Sequence, residues 1–146
     1  MLRARSLLFA VRSPPAAARW SLTFARLASA VVFIGFGVGK FVNHASETAS
    51  FRTYGLPAPD AFTLVIGVLE LAGGALLAAG LATRAVALLL AGDMVGAIVV
   101  SGLARGETVS LTLAPALLVA MAALAVWGPG GVALDNARGR ARPTSE

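Results

Sequence analysis

The chain has 146 residues, of which 58% are hydrophobic and 13% charged, and its mean hydropathy is +0.82. A soluble domain carries about 25% charged residues, so this composition excludes an ordinary soluble protein and points to a single membrane domain. Cysteine is absent, which excludes disulfides, thiolate metal sites and cysteine-held iron–sulfur clusters; the net charge of +5 does not signal nucleic acid, because the basic residues gather at the ends of apolar segments.

Residues 1–20 form a basic stretch with Arg3, Arg5, Arg12 and Arg19, and the first acid of the chain is Glu47. This reads as a disordered or surface-lying cytoplasmic tail on anionic lipid. A rival reading is a processed mitochondrial-type targeting segment. Ala28-Ser29-Ala30 has the look of a secretory cleavage site, but Arg26 interrupts the apolar run that should precede it.

The membrane domain is predicted over 21–128, with spans at 22–42, 61–80, 85–103 and 111–127. Each is close to the ~20 residues that cross a bilayer core as a helix. The polar–apolar alternation of a membrane β-barrel is missing. The predicted fold is therefore all-α, a transmembrane four-helix bundle. Residues 43–60 make a long mixed connection, and Pro57 and Pro59 stop any helix before the second span. Gly80 to Arg84 is short enough to make the second and third spans an antiparallel hairpin. Ser101 to Ser110 is a polar turn, and Gly128-Pro129-Gly130-Gly131 ends the fourth span before a basic tail over 129–146.

Charge placement predicts orientation. Arg3, Arg5, Arg12, Arg19, Arg26, Arg84, Arg138, Arg140 and Arg142 fall on one side, against Arg52 and Arg105 on the other, with Lys40 near that boundary. The positive-inside rule places both termini in the cytoplasm. Trp20 and Trp127 fall at the same boundary, where an aromatic belt belongs.

Several blocks then line up in order. RLASAVVFIGFGVGK at 26–40 has an arginine at its start and a Gly-x-x-Lys at its end. FRTYGLPAP at 51–59 carries a Gly-Leu-Pro turn. VLELAGGALLAAGLATRAVAL at 68–88 contains Glu-Leu-x-Gly-Gly and Gly-Leu-x-Thr-Arg, and GPGGVALD at 128–135 closes the series. Together, from about Arg26 to Asp135, they resemble the DoxX family. The resemblance implies a four-helix membrane protein whose relatives include subunits linked to thiosulfate:quinone oxidoreduction, to membrane oxidoreductase complexes and to oxidative-stress defence. One family feature is missing: Val99 to Arg105 holds no histidine, so a role resting on that histidine does not transfer.

The polar residues inside the spans are the candidate site. Glu70 and Asp93 stand about twelve and eleven residues from the hairpin centre at Ala82, at depths matched to roughly 3 Å. An acid at a helix centre costs on the order of 2.5–3.5 kcal/mol on insertion scales, so a pairing or functional role is the default reading. Two carboxylates brought together in low dielectric cannot both ionise easily. They would either share a proton that locks the hairpin or handle protons for chemistry. Lys40, near the outer end of the first span, reads as a snorkelling lysine. The resemblance adds the alternative that it turns inward, toward a Glu70 expected roughly 9 Å deeper. His44, one turn further on, is expected on the same face, as an interfacial residue or a proton entry point. It is the only histidine, which excludes bis-histidine haem ligation, and no metal site is expected.

The glycines read as packing residues. Gly35 and Gly39, and Gly92 and Gly96, have Gly-x-x-x-Gly spacing, while Gly73 and Gly74 leave bare backbone beside Glu70. GFGVGK is not a phosphate loop, because Ile34 and Phe41 occupy positions that need Gly and Ser or Thr.

Three functional readings follow. The first is a small subunit or accessory of a quinone-linked membrane redox system, with no catalysis of its own. It has no intrinsic cofactor, a quinone as the one ligand under consideration, and electrons supplied by a membrane or peripheral oxidoreductase partner. The second is a proton, ion or small-molecule pathway centred on Glu70 and Asp93, which at this size needs a homo-oligomer. The third is a structural or assembly scaffold. All three place the chain in a lipid bilayer, the bacterial inner membrane first and an organelle membrane as the rival.

Overall fold

The computed structural model describes residues 16–140. The expectations for residues 1–15 and 141–146 lie outside them. The described chain is helical with no strand: α1 Ala16–Val42, α2 His44–Thr53, α3 Pro59–Ala79, α4 Thr83–Ala97 running on as a π-helix over Ile98–Leu103, α5 Thr108–Trp127 and α6 Leu134–Arg140. Four of these elements, at Ala16–Val42, Pro59–Ala79, Thr83–Leu103 and Thr108–Trp127, are long and apolar enough to cross a membrane. They alternate in direction, so the chain makes an up-down-up-down bundle with both described ends of the chain at one end, here called the near end.

Three boundaries differ from the sequence reading. α1 already includes Ala16, inside the stretch expected as tail, and Ala16, Ala17 and Ala18 are strong helix formers. Its 27 residues span about 40 Å, longer than the hydrocarbon core, and Trp20 lies exposed on its first turns. The mixed connection after α1 is largely the ten-residue helix α2. The C-terminal segment includes α6 and folds back on the bundle.

The spans pack as two pairs. The most extensive contact is between α1 and α3, followed by α4 with α5; the α3–α4 hairpin shares a smaller face. Glycines set the α1–α3 distance. A Cβ on Gly37 would stand 2.6 Å from the Leu71 nitrogen, and one on Gly74 would stand 2.8 Å from Ile34 Cγ1 and 3.0 Å from the Ala30 carbonyl oxygen. Only bare backbone lets the helices approach this closely. Gly73 admits Leu90 of α4, 3.1 Å from where its Cβ would be. The expected packing role fails for Gly35, Gly39, Gly92 and Gly96, since nothing lies within 4 Å of a Cβ at any of them. Their spacing puts each pair on one helix face, but among the described residues that face meets no neighbouring helix.

Packing density divides the bundle in two. In the near half, Phe33, Leu77, Leu90, Met121 and Leu124 are fully buried and fill the space between all four spans. In the far half, the pairs stand apart around a cavity. The outer surface is apolar, with Phe24, Val31, Leu88 and Val119 exposed, as a lipid-facing surface requires.

Candidate functional site

The far half of the bundle holds a cavity of about 550 Å³ between α1, α3, α4 and α5, with α2 beside its mouth. Its walls are mainly apolar, from Phe36, Ile66, Leu69, Leu113 and Leu117, and the polar groups gather at its floor and its rim.

At the floor, Lys40 Nζ lies 2.7 Å from Glu70 Oε2, with the side chains only 12% and 4% exposed. The reach is shorter than helix rise from the predicted span ends implies. The Lys40 Cβ lies 3.1 Å from where a Cβ on Gly67 would stand, so Lys40 is level with Gly67. That residue is three positions from Glu70, or about 4.5 Å of rise. α3 therefore overhangs the end of α1 by about 9 Å. α2 packs against this overhang, where Thr48 Oγ1 donates to Thr63 Oγ1 at 3.3 Å. The Lys40 ammonium also stands 5.9 Å from the centre of the Phe36 ring, within the range of a cation–π contact.

Asp93 lines the same cavity from α4. Its Oδ2 is buried and has no hydrogen-bond partner among the described residues. Gly92 and Gly96 also line the cavity, so the open space beside them is the ligand space rather than a helix contact.

His44 is elsewhere. α1 ends at Val42, and Asn43 leaves helical geometry at φ −107° and ψ 33°, so His44 opens a new helix instead of sharing the Lys40 face. Its Nε2 lies 3.5 Å from Thr48 Oγ1 and 3.6 Å from Asp60 Oδ1, outside the cavity lining.

The rim carries Glu47, Tyr54 and Glu107. The π-helix runs along this side. Ser101 Oγ donates to Ser110 Oγ at 2.6 Å, and Ser110 Oγ donates to Glu107 Oε2 at 2.8 Å. π-helical turns often accompany functional sites, and this one faces Ser101 toward the bundle interior. Burial, followed by the nearby Glu107 carboxylate, raises the Tyr54 hydroxyl above its ordinary pKa.

This geometry lies mostly within one matched segment: the DoxX family profile matches residues 21–103, which hold most of α1 and all of α2 to α4, with Lys40, Glu70 and Asp93. The chain belongs to the DoxX family. A Bacillus subtilis (strain 168) protein named Putative oxidoreductase CatD is 34% identical over 110 residues, covering 75% of this chain and 81% of that relative. No solved structure matches. The chain is thus a multi-pass membrane protein of the DoxX family.

The near end of this DoxX chain holds a second polar cluster, which the sequence reading divided between a flanking charge and a closing motif. Arg26 is only 2% exposed. Its guanidinium donates to the Leu77 and Ala78 carbonyls at the end of α3, and to the Pro129 and Val132 carbonyls of the segment after α5. Asp135 caps the start of α4, accepting from the Ala82 nitrogen at 2.8 Å and the Thr83 nitrogen at 2.9 Å. That carboxylate holds Ala82 at φ 50°, a left-handed conformation unusual for alanine. The only local signal for Arg26 was a charge inside an apolar run. Tyr54, Ser101, Ser110 and Glu107 lay in segments read as connections, and nothing in their spacing marked them.

Proposed function

We propose that this DoxX-family protein is a small subunit or accessory of a quinone-linked membrane redox system, and that the far-end cavity is its head-group site. The observation carrying this reading is an apolar-walled cavity that ends at mid-span on Lys40–Glu70 and Asp93. Apolar walls suit a ring and its isoprenoid tail, while the floor offers an ion pair and a carboxyl group to a polar head. Carboxylates at that depth serve as proton-handling groups. The relative's name connects it with oxidoreduction. The chain has no cysteine and one histidine, so in this reading electrons pass to or from a partner subunit. The positive-inside pattern puts the termini in the cytoplasm of a bacterial cell and opens the cavity toward the outer face of its membrane.

The packed near half speaks against a continuous pathway as the main role. Fully buried Phe33, Leu77, Leu90, Met121 and Leu124 fill the space through which an ion would have to leave.

The test is purification of the tagged full chain in mild detergent, with identification of bound proteins and extraction of quinone. A membrane oxidoreductase and a stoichiometric quinone are expected. Gly96→Leu should fill the cavity and remove the quinone without lowering thermal stability, because nothing stands within 4 Å of the new Cβ. Wild-type protein with neither quinone nor redox partner, or undiminished quinone in Gly96→Leu, would sink the proposal.

A further inference from the structure

The polar lining of the cavity is rich in acceptors. Glu47, Glu70, Asp93 and Glu107 all line it, and an ionised carboxylate only accepts. Three of the lining's donor groups already have a protein acceptor: one N–H of the Lys40 ammonium is on Glu70 at 2.7 Å, the Ser101 hydroxyl on Ser110 at 2.6 Å, and the Ser110 hydroxyl on Glu107 at 2.8 Å. Asp93 differs from Glu70 at the floor. Each has a buried oxygen without a hydrogen-bond partner among the described residues, but the Glu70 oxygen faces the Lys40 ammonium, whereas Asp93 Oδ2 has no such cation beside it among the described residues and lines the cavity near the middle of a membrane-spanning helix.

With Asp93 as a carboxylate, a group that completes it brings a hydrogen-bond donor. The two redox forms of a quinone-type ligand differ in this respect: the oxidised form presents carbonyl oxygens, which only accept, and the reduced form presents hydroxyls, which donate. We infer that the cavity selects the reduced, hydroxyl-bearing form of its ligand, with Asp93 accepting a hydrogen bond from a ligand hydroxyl. This rests on the cavity being the head-group site proposed above. It makes Asp93 the group that distinguishes redox state, while the apolar walls bind both forms alike.

The experiment is anaerobic equilibrium binding to the full chain in lipid nanodiscs, using a short-chain ubiquinol, the matching ubiquinone, and the dimethyl ether of the same quinol. The ether keeps the ring and tail but has no hydroxyl proton. The quinol should bind roughly tenfold or more tightly than the quinone, the value of one hydrogen bond to a charged acceptor. The ether should bind as weakly as the quinone. Asp93→Asn should bring quinol and quinone within about twofold of each other. Equal affinities in the wild type, or an ether as tight as the quinol, would overturn the inference and leave the head-group site standing. A preference for the quinone would mean that Asp93 donates a proton of its own, and would overturn it too. Failure of all three probes to bind would remove the head-group site and the inference together. The comparison of three probes on the wild type decides the matter even if Asp93→Asn does not fold.

Discussion

Lys40 and Glu70 lie 2.7 Å apart with both side chains largely out of solvent, and a buried pair of this kind is sensitive to the loss of one member. Removing the cation leaves an uncompensated carboxylate, a loss of about 3–5 kcal/mol in buried pairs, whereas apolar replacement of both partners is often neutral. Lys40→Met should therefore lower stability in detergent by about that amount, and Lys40→Met with Glu70→Met should recover most of it. Thermal or denaturant unfolding of the three variants checks this; a double variant no more stable than the single would refute a pair coupling. At the rim, Tyr54 is the chain's only tyrosine, so its absorbance titration reports one group. Burial first, and Glu107 second, raise its pKa, so its midpoint should lie above the ordinary value of about 10. Glu107→Gln should lower that midpoint. The unfolded chain releases this proton first, so Tyr54 makes stability fall as pH rises past about 10. A midpoint at the ordinary value would show the hydroxyl to be solvated.

Within the elements, helix lengths and polarity patterns were legible and helix faces were not. The four spans follow from runs of apolar residues near bilayer length, and they appear at Ala16–Val42, Pro59–Ala79, Thr83–Leu103 and Thr108–Trp127. Spacing alone named Gly35–Gly39 and Gly92–Gly96 as packing pairs, yet the close approach is at Gly37 and Gly67, which the sequence reading did not mark, and at Gly74, which it did. A glycine's neighbours depend on how a helix is rotated toward its partner, which spacing along one chain does not contain. The contrast is measurable. Gly37→Ala would place a Cβ 2.6 Å from the Leu71 backbone, forcing α1 and α3 apart at a cost of about 1–3 kcal/mol. Gly35→Ala meets nothing within 4 Å and should stay within about 0.5 kcal/mol of wild type. Similar melting temperatures for the two variants would show that the α1–α3 contact tolerates a side chain.

At the scale of the molecule, the bundle is closed and densely packed at the near end and open at the far end. Arg26 and Asp135 fasten the chain after α5 onto the α3–α4 turn, so the near end is held by hydrogen bonds as well as by the core. The far end has the overhang of α3, α2 laid against it, and the cavity. Orientation is open to a direct test because the chain has no cysteine. Under the positive-inside rule, a membrane-impermeant maleimide added to intact cells should label Ser46→Cys, on exposed α2, and spare Ala137→Cys, on exposed α6. The reverse pattern would invert the bundle and open the cavity toward the cytoplasm.

By itself the sequence determined the bilayer as solvent, the number and type of spans, the family resemblance, and the presence of two costly acids at mid-depth. These are properties of composition and of position along a helix axis, and a linear chain carries both. Only the tertiary structure decided which polar groups meet. The stagger of α3 past α1 brought Lys40 onto Glu70, the break at Asn43 turned His44 away, and the folded-back C-terminal segment buried Arg26. Each depends on helix rotation, relative height or a contact between residues far apart in the chain. The physical reason is that side-chain meetings are set by how helices pack, and packing in a membrane is chosen by close backbone approach rather than by the apolar pattern that inserts the helices.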